Sequence, residues 1–437
     1  MNYAKALLFI WCSVATTPIS MAQVATSSIL GTVTDSSGAA VPDVPVTITD
    51  IATGYVRTVM TDATGAYVVD NVKPGDYKVG AVKTGFKEAL LTGITVQVDQ
   101  RVRIDVKLTM GSTTERVEVH AEAPVVETDS STVGKVISNR EVVELPLNGR
   151  NFLQLAELTP GVQNYTGPNA SSFADTGGNI STNGMSAFSN TPMIDGIYNQ
   201  DTGYSRMNFS PSIDMIEEFK IQSNTYDAEF GMAGGAQVNI ITKRGSNMYH
   251  GSAFEFVRNN KFDARPFFQP GALPHFERNQ FGGTFGGHIP RLKRDFFFFS
   301  YEGLRSTQGL TFLMTVPTPA IKAGDFRGTG STIYDPATLN TATGLRQPFP
   351  GNVIPANRIS RQALYFLGFY PDPQTSGLTN NFVSNPAQRA SDNDVSFRYD
   401  HDFSEKDSVT VRYSRKHIFR IIPNGDCGCT TPLPRIR

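Results

Sequence analysis

The sequence predicts a mainly β chain in three parts: a small sandwich, a compact mixed α/β unit, and a set of long strands of the transmembrane-barrel kind. Three observations carry this. The 437 residues include 39 Gly and 26 Pro with 10% aromatic residues, a composition of many short strands joined by turns. Residues 28–110 are short apolar-alternating segments cut by turn signals. Beyond Gly245, segments of about ten residues alternate aromatic or apolar with polar side chains. The net charge of -1 argues against a general binder of nucleic acid or anionic membrane surfaces.

Residues 1–22, "MNYAKALLFIWCSVATTPISMA", have a lone Lys5, an apolar run from Ala6 to Val14 and a small-residue cleavage pattern, so export is expected with cleavage between Ala22 and Gln23. The competing reading is a membrane anchor, and the run is too short to cross ~30 Å of hydrocarbon. Cys427 and Cys429 are then the cysteines of the mature chain, too close to be a disulfide framework and half a metal site at most. No later segment has 18 uninterrupted apolar residues, so residence in a membrane requires a β-barrel.

In 23–110, Val46 and Ile48 oppose Thr47 and Thr49. Val102, Ile104, Val106 and Leu108 oppose Arg101, Arg103, Asp105 and Lys107. With turns at Thr64-Gly65 and Pro74-Gly75, this predicts a small antiparallel sandwich. Residues 111–129 are polar and extended, and "RVEVHAEAP" alternates through Val117 and Val119 without a partner nearby. Strand addition to another protein and an edge strand or linker are level readings of it.

Within 130–245, Ser138 and Glu141 form a capping box with Ile137 and Val142 as its hydrophobic staple. That helix must stop at Leu145, because Pro146 disfavours helical geometry before it. Asn148 is expected to cap a second helix, with Phe152, Leu155 and Leu158 docking on a larger body. "SPSIDMIEEFKIQS" reads as a helical turn entering a strand, and "GGAQVNIITKRG" as a buried strand with a basic exit.

From 246 to 437 five segments read as barrel strands. In the fourth, Val395, Phe397 and Tyr399 oppose Ser396, Arg398 and Asp400; in the fifth, Val409, Val411 and Tyr413 oppose Thr410, Arg412 and Ser414. Short connections, "RLKR" and "FSEKD", alternate with the long runs 261–277 and 308–391, the two unlike rims of an outer-membrane barrel.

Chemistry-bearing patterns are few. His120, His250, His275, His288, His401 and His417 form no HExxH arrangement. "GGTFGG" and "GMAGG" lack the spacing and following helix of a phosphate loop. Asp195-Gly196 reads as a turn, and Asp392-Asn393-Asp394 lacks the remaining ligands of a calcium loop. No enzymatic site, metal or cofactor is expected.

"GTVTDSSGAAVPDVPVTI", "TDATGAYVV" and the "KPGDYKV" segment with its following "AVKTGF" resemble the carboxypeptidase regulatory-like domain, which implies a seven-stranded prealbumin-like β-sandwich of the carbohydrate-binding-like kind. "LPLNGRNFLQLAELTPGV", "IDGIYNQD", "IEEFKIQSNTYDAEFGMAGGAQVNIITKRGSN" and "FRYDHDFSEKDSVTVRYS" resemble the TonB-dependent outer-membrane transporters of the Oar-like type. The resemblance implies an α/β plug domain at 130–245 and the first few strands of an incomplete transmembrane β-barrel at 246–437. It also implies a candidate TonB-box strand in the 111–129 linker: Arg116, Val117, Glu118, Val119, His120 and Ala121. The partners implied are a TonB-type periplasmic energy transducer, outer-membrane lipid and an extracellular ligand, carbohydrate and peptide both being open. A plugged barrel needs about 22 strands. The chain is therefore expected to be an N-terminal fragment that does not transport by itself. The alternative function is an exported carbohydrate- or surface-binding protein; its stacking aromatics would be few, chiefly Tyr55, Tyr67, Tyr77 and Phe86, and most of these read more readily as core.

Overall fold

The computed structural model describes residues 27–421 and 423 apart from 113–115, 121–131, 165–179, 202–206, 227–233, 266, 268–272, 293, 385, 406 and 422. Ala22, Gln23, Ala121, Cys427 and Cys429 lie outside the described residues. Two compact units are present: Met1–Ala253 with Gly283–Tyr301 and Asp394–Arg415, and Phe254–Gly282 with Glu302–Asn393 and Lys416–Arg437.

The first unit opens with the sandwich: β1 (Ser27–Thr34), β2 (Pro45–Asp50), β3 (Val56–Met60), β4 (Ala66–Val72), β5 (Gly75–Ala81), β6 (Glu88–Val96), β7 (Arg101–Arg103) and β8 (Val106–Lys107). One sheet holds β4, β1 and the pair β7 and β8, which reads as one interrupted strand; the other runs β3-β2-β5-β6. Alternation does what the sequence predicts, since every second residue of β1 and β2 is buried. Val33, Val46, Val79, Ile94, Val102 and Leu108 are wholly buried in the shared core, each contributing ~1.5–3 kcal/mol by removal from water. The antiparallel expectation needs correction: β7 and β8 run parallel to β1. The chain leaves the other sheet after β6, crosses through 97–100 and re-enters beside β1 in the same direction. Gly31 allows that approach, because a Cβ there would collide with the Ile104 carbonyl.

β9 (Arg116–His120) also has a partner. It lies parallel to β6 at the sheet edge, with Ala89 opposite Val117 and Leu91 opposite Val119. The segment is thus an edge strand, one of its two level readings, and its partner lies upstream in the sandwich, outside its immediate sequence neighbourhood.

A second sheet, the central one in chain order, follows, built from β10 (Val133–Ser138), β13 (Thr191–Ile194), β14 (Ile197–Tyr198), β15 (Ile216–Asn224) and β16 (Gln237–Thr242), in the order β10-β15-β16-β13-β14. The small pair β11 (Val162–Asn164) and β12 (Ile180–Thr182) accompanies it. Between β10 and β11 the predicted capping box is present: the Glu141 carboxylate accepts from Ser138 N at 2.9 Å, and Glu141 N donates to Ser138 Oγ at 3.4 Å. Ile137 and Val142 are wholly buried, and α1 (Asn139–Glu144) stops at Leu145.

The restart differs from expectation. Gly149 (φ 72) and Arg150 (φ 55) both enter the left-handed region, which breaks the winding after Asn148. The cap is therefore Asn151, whose side chain accepts from Leu153 N, and the helix is a 3-10 helix over Phe152–Leu158. Phe152, Leu153, Leu155 and Ala156 are buried, and Phe152 meets Phe219 edge-on at 5.4 Å. Leu158 is 47% exposed, because the row passes beyond the end of the core before the chain turns at Thr159.

Five long strands complete the architecture: β17 (His250–Asn259), β18 (Phe276–His288), β19 (Asp295–Gly309), β22 (Ala387–Asp402) and β23 (Ser408–Ile421), in sequence order across one sheet. They are the five segments read from the sequence. The long run between β19 and β22 is itself folded. It carries the strand pair β20 (Phe312–Met314) and β21 (Phe382–Ser384) with α2 (Pro319–Lys322) and α3 (Arg361–Leu367). Arg358 grips Asp335 through both guanidinium nitrogens (2.6 and 2.9 Å), and the Asn381 side chain bonds both the N–H and the carbonyl of Val316.

Candidate functional site

On β22 the usual relation of polarity to burial is reversed. Asp392, Asp394, Ser396, Arg398, Asp400 and Asp402 are all buried, whereas Phe397 is 41% exposed. A charged residue is buried at least cost when its charge is met, and for Arg398 it is met partly from the central sheet and partly from Asp400. The Arg398 guanidinium donates to the Thr242 carbonyl (2.9 Å) and hydroxyl (2.8 Å), lies 3.3 Å from Asp195 and forms a two-pronged pair with Asp400 at 2.8 and 2.9 Å. Arg412 on β23 approaches the other Asp195 oxygen at 3.1 Å.

Asp195 is held for this by its own turn. Asp195 (φ 51) and Gly196 (φ 76) connect β13 to β14, the two-residue turn with positive φ at both positions. Its carboxylate accepts from Thr242 N (2.9 Å) and Thr242 Oγ1 (2.8 Å), so one aspartate receives two arginines while bonded to the end of β16. The sequence shows the turn. It does not show the arginines, one of which is 203 residues away. Arg150, from the "LNGRN" turn, is paired with Asp214 in the 3-10 turn that leads into β15.

The sandwich joins the same assembly at its loops. Arg244, just after β16, bonds Asp50 at 2.7 Å. Lys73 reaches Asp402 at 3.3 Å and Asp400 at 3.7 Å, and Tyr55 Oη donates to the Ser404 carbonyl at 2.7 Å. The sandwich thus stands at the short "FSEKD" rim of the strands. Glu218 on β15 accepts from Val98 N at 2.5 Å, and burial, opposed by that bond, pushes its carboxyl up to about 7.

The candidate coupling residues are placed elsewhere. Val117, Glu118 and Val119 of β9 are exposed, and no strand pairs with the outer edge of β9 among the described residues. The four aromatics weighed for sugar stacking form no platform. Tyr67 and Tyr77 are buried with their hydroxyls on the Ile104 and Lys73 carbonyls, Phe86 packs on the sandwich core, and Tyr55 is committed to Ser404. No group of three or more metal-ligand side chains occurs among the described residues.

Comparison with known proteins places these parts. The family described as outer membrane beta barrel domain matches residues 241–431, and the carboxypeptidase regulatory-like domain matches 28–109. A curated relative, the TonB-dependent transporter Oar of Myxococcus xanthus, is 30% identical over 238 residues, 52% of this chain and 21% of that protein. The chain thus spans about a fifth of the length of the curated relative it matches. Among solved structures, the siderophore receptor PirA from Acinetobacter baumannii is 17% identical, with 68% of this chain and 33% of that one covered at a TM-score of 0.37. The outer membrane transporter YddB from Escherichia coli is 12% identical, with 65% and 33% covered at 0.39. A region that matches the carboxypeptidase regulatory-like domain is thus followed by one that matches the outer membrane beta barrel domain, which places the chain in the outer membrane, and about half of the chain is similar to the TonB-dependent transporter Oar.

Proposed function

We propose that the chain is the N-terminal part of a TonB-dependent receptor for energy-coupled uptake across the outer membrane. In this reading 23–110 is a periplasmic sandwich, 111–129 the linker with the coupling segment Arg116–Ala121, 130–245 the plug, and 246 onward barrel wall. One observation carries it. The polar face of β22 is turned toward the central sheet through Arg398, Thr242 and Asp195, while Phe397 on the other face is left outward. A sheet met by the polar side of a strand whose apolar side faces outward fits a plug against barrel wall, and the sandwich at the short-turn rim is where an exported N-terminus would remain.

The mechanism follows from these roles. A ligand, either carbohydrate or peptide, would bind on the side of the long connections. A TonB-type transducer would add a strand at 116–121 from the periplasm and pull, and the plug would shift against the charges that hold it. No step requires a catalytic residue or cofactor. The test is binding of a purified TonB-type periplasmic domain to the chain in detergent, alone and with Val117→Pro, which removes a backbone donor. Binding that falls about tenfold or more in the variant supports strand pairing at this segment; equal binding, or none in either protein, overturns it.

A further inference from the structure

The central sheet has two covered faces. One packs Phe219, Ile221, Val238 and Ile240 into the Phe152 core. The other presents Glu218, Lys220 and Asn239, all buried, and a single turn of the sandwich meets all three. Val98 N donates to Glu218, Lys220 Nζ donates to the Asp99 carbonyl at 2.8 Å, and Asn239 Nδ2 donates to Asp99 Oδ2 at 3.0 Å. Val98 itself is wholly buried against Ile241 and Val136. A second hold is Arg244 on Asp50, and a third is Lys73 on Asp400 and Asp402.

We propose that the sandwich is a built-in clamp, a domain whose loops fasten the central sheet to the β22–β23 hairpin and must let go before that sheet can move. This rests on reading 130–245 as a plug, and it gives the sandwich an intramolecular role in place of ligand capture. Two arguments support it. The holds are buried charges and polar groups, so a partial displacement would leave Glu218, Lys220 or Arg244 unmet, which favours all-or-none release over gradual slippage. The candidate coupling strand β9 is hydrogen-bonded to β6 of this same sandwich, so traction on β9 loads the clamp as well as the linker to β10.

The Glu218 contact also makes the hold sensitive to protons. The groups around its carboxyl are Val98 N, Glu217, Lys220 and Asp99. Its affinity for a proton is higher when docked, with a value of about 7, than the ordinary carboxyl value it regains on release. Docking is therefore tighter in acid and loses this contribution as pH rises through about 7. The sheet should be held about tenfold more firmly at pH 6 than at pH 8.

Hydrogen exchange on the full chain in detergent, corrected for intrinsic rates, tests the clamp. Amides of 97–100 and 237–242 should be protected. Asp50→Arg should raise exchange in both by about tenfold while 27–34 stays unchanged, and Asp50→Arg with Arg244→Asp should restore protection. Glu218→Gln should keep both segments protected and flatten the pH dependence, which decides the matter should Asp50→Arg unfold the chain. Unprotected 97–100 in the parent chain, 237–242 unaffected by Asp50→Arg, or an unchanged pH profile in Glu218→Gln would overturn the proposal. Loss of transducer binding with the clamp signature intact would instead count against the coupling segment alone.

Discussion

β2 of the sandwich and β22 of the long sheet have the same period and opposite insides. On β2 the buried set is Val46, Ile48 and Asp50, and the partly exposed set includes Thr47 and Thr49. On β22 the buried set is aspartate, serine and arginine, and the outward set includes Val395 and Phe397. Alternation states only that two faces differ. Which face is buried depends on what surrounds the strand: water around the sandwich and, under the proposed function, lipid outside with a polar sheet inside for β22.

The sharpest way to break this comparison is a charge on each apolar face. Val79→Asp, in the wholly buried sandwich core, should abolish the cooperative thermal transition of the sandwich, at a cost of several kcal/mol (~4) for an unpaired buried charge. The opposite change on β22, Arg398→Leu, should cost nearly as much, ~3–5 kcal/mol, by leaving Asp195 and Asp400 partly unmet. Restoration by Asp400→Leu in the same chain, read by denaturant midpoint, would show that the penalty is charge and not packing. Phe397→Lys should be well tolerated in a purely aqueous fold. In a lipid-facing strand it should lower insertion into vesicles by ~2–4 kcal/mol near the bilayer midplane. Ser138→Ala has the smallest effect, ~1 kcal/mol from a lost cap, seen as a modest fall in the denaturant midpoint of the first unit.

Much of this was legible because the relevant information is local. The capping box spans four residues, and the five long strands announce themselves by alternation and by their short and long connections. Asn151 rather than Asn148 as the cap, and Leu158 left outside, depend on the left-handed pair Gly149 and Arg150, a choice among backbone states that residue spacing does not encode. Asp195 was readable as a turn, but its arginines come from β22 and β23, and Glu218 is matched by a sandwich turn 120 residues earlier. Long-range charge pairing leaves no periodic trace in a single sequence.

The most direct test of the account is the orientation of β22 in a membrane. Single cysteines at 394, 395, 396 and 397, in a chain with Cys427→Ser and Cys429→Ser, would be spin-labelled in lipid vesicles and probed with oxygen, which concentrates in the bilayer. A lipid-facing β22 should show strong oxygen accessibility at 395 and 397 and protection at 394 and 396. Equal accessibility at all four positions, or protection at 395 and 397, would contradict it.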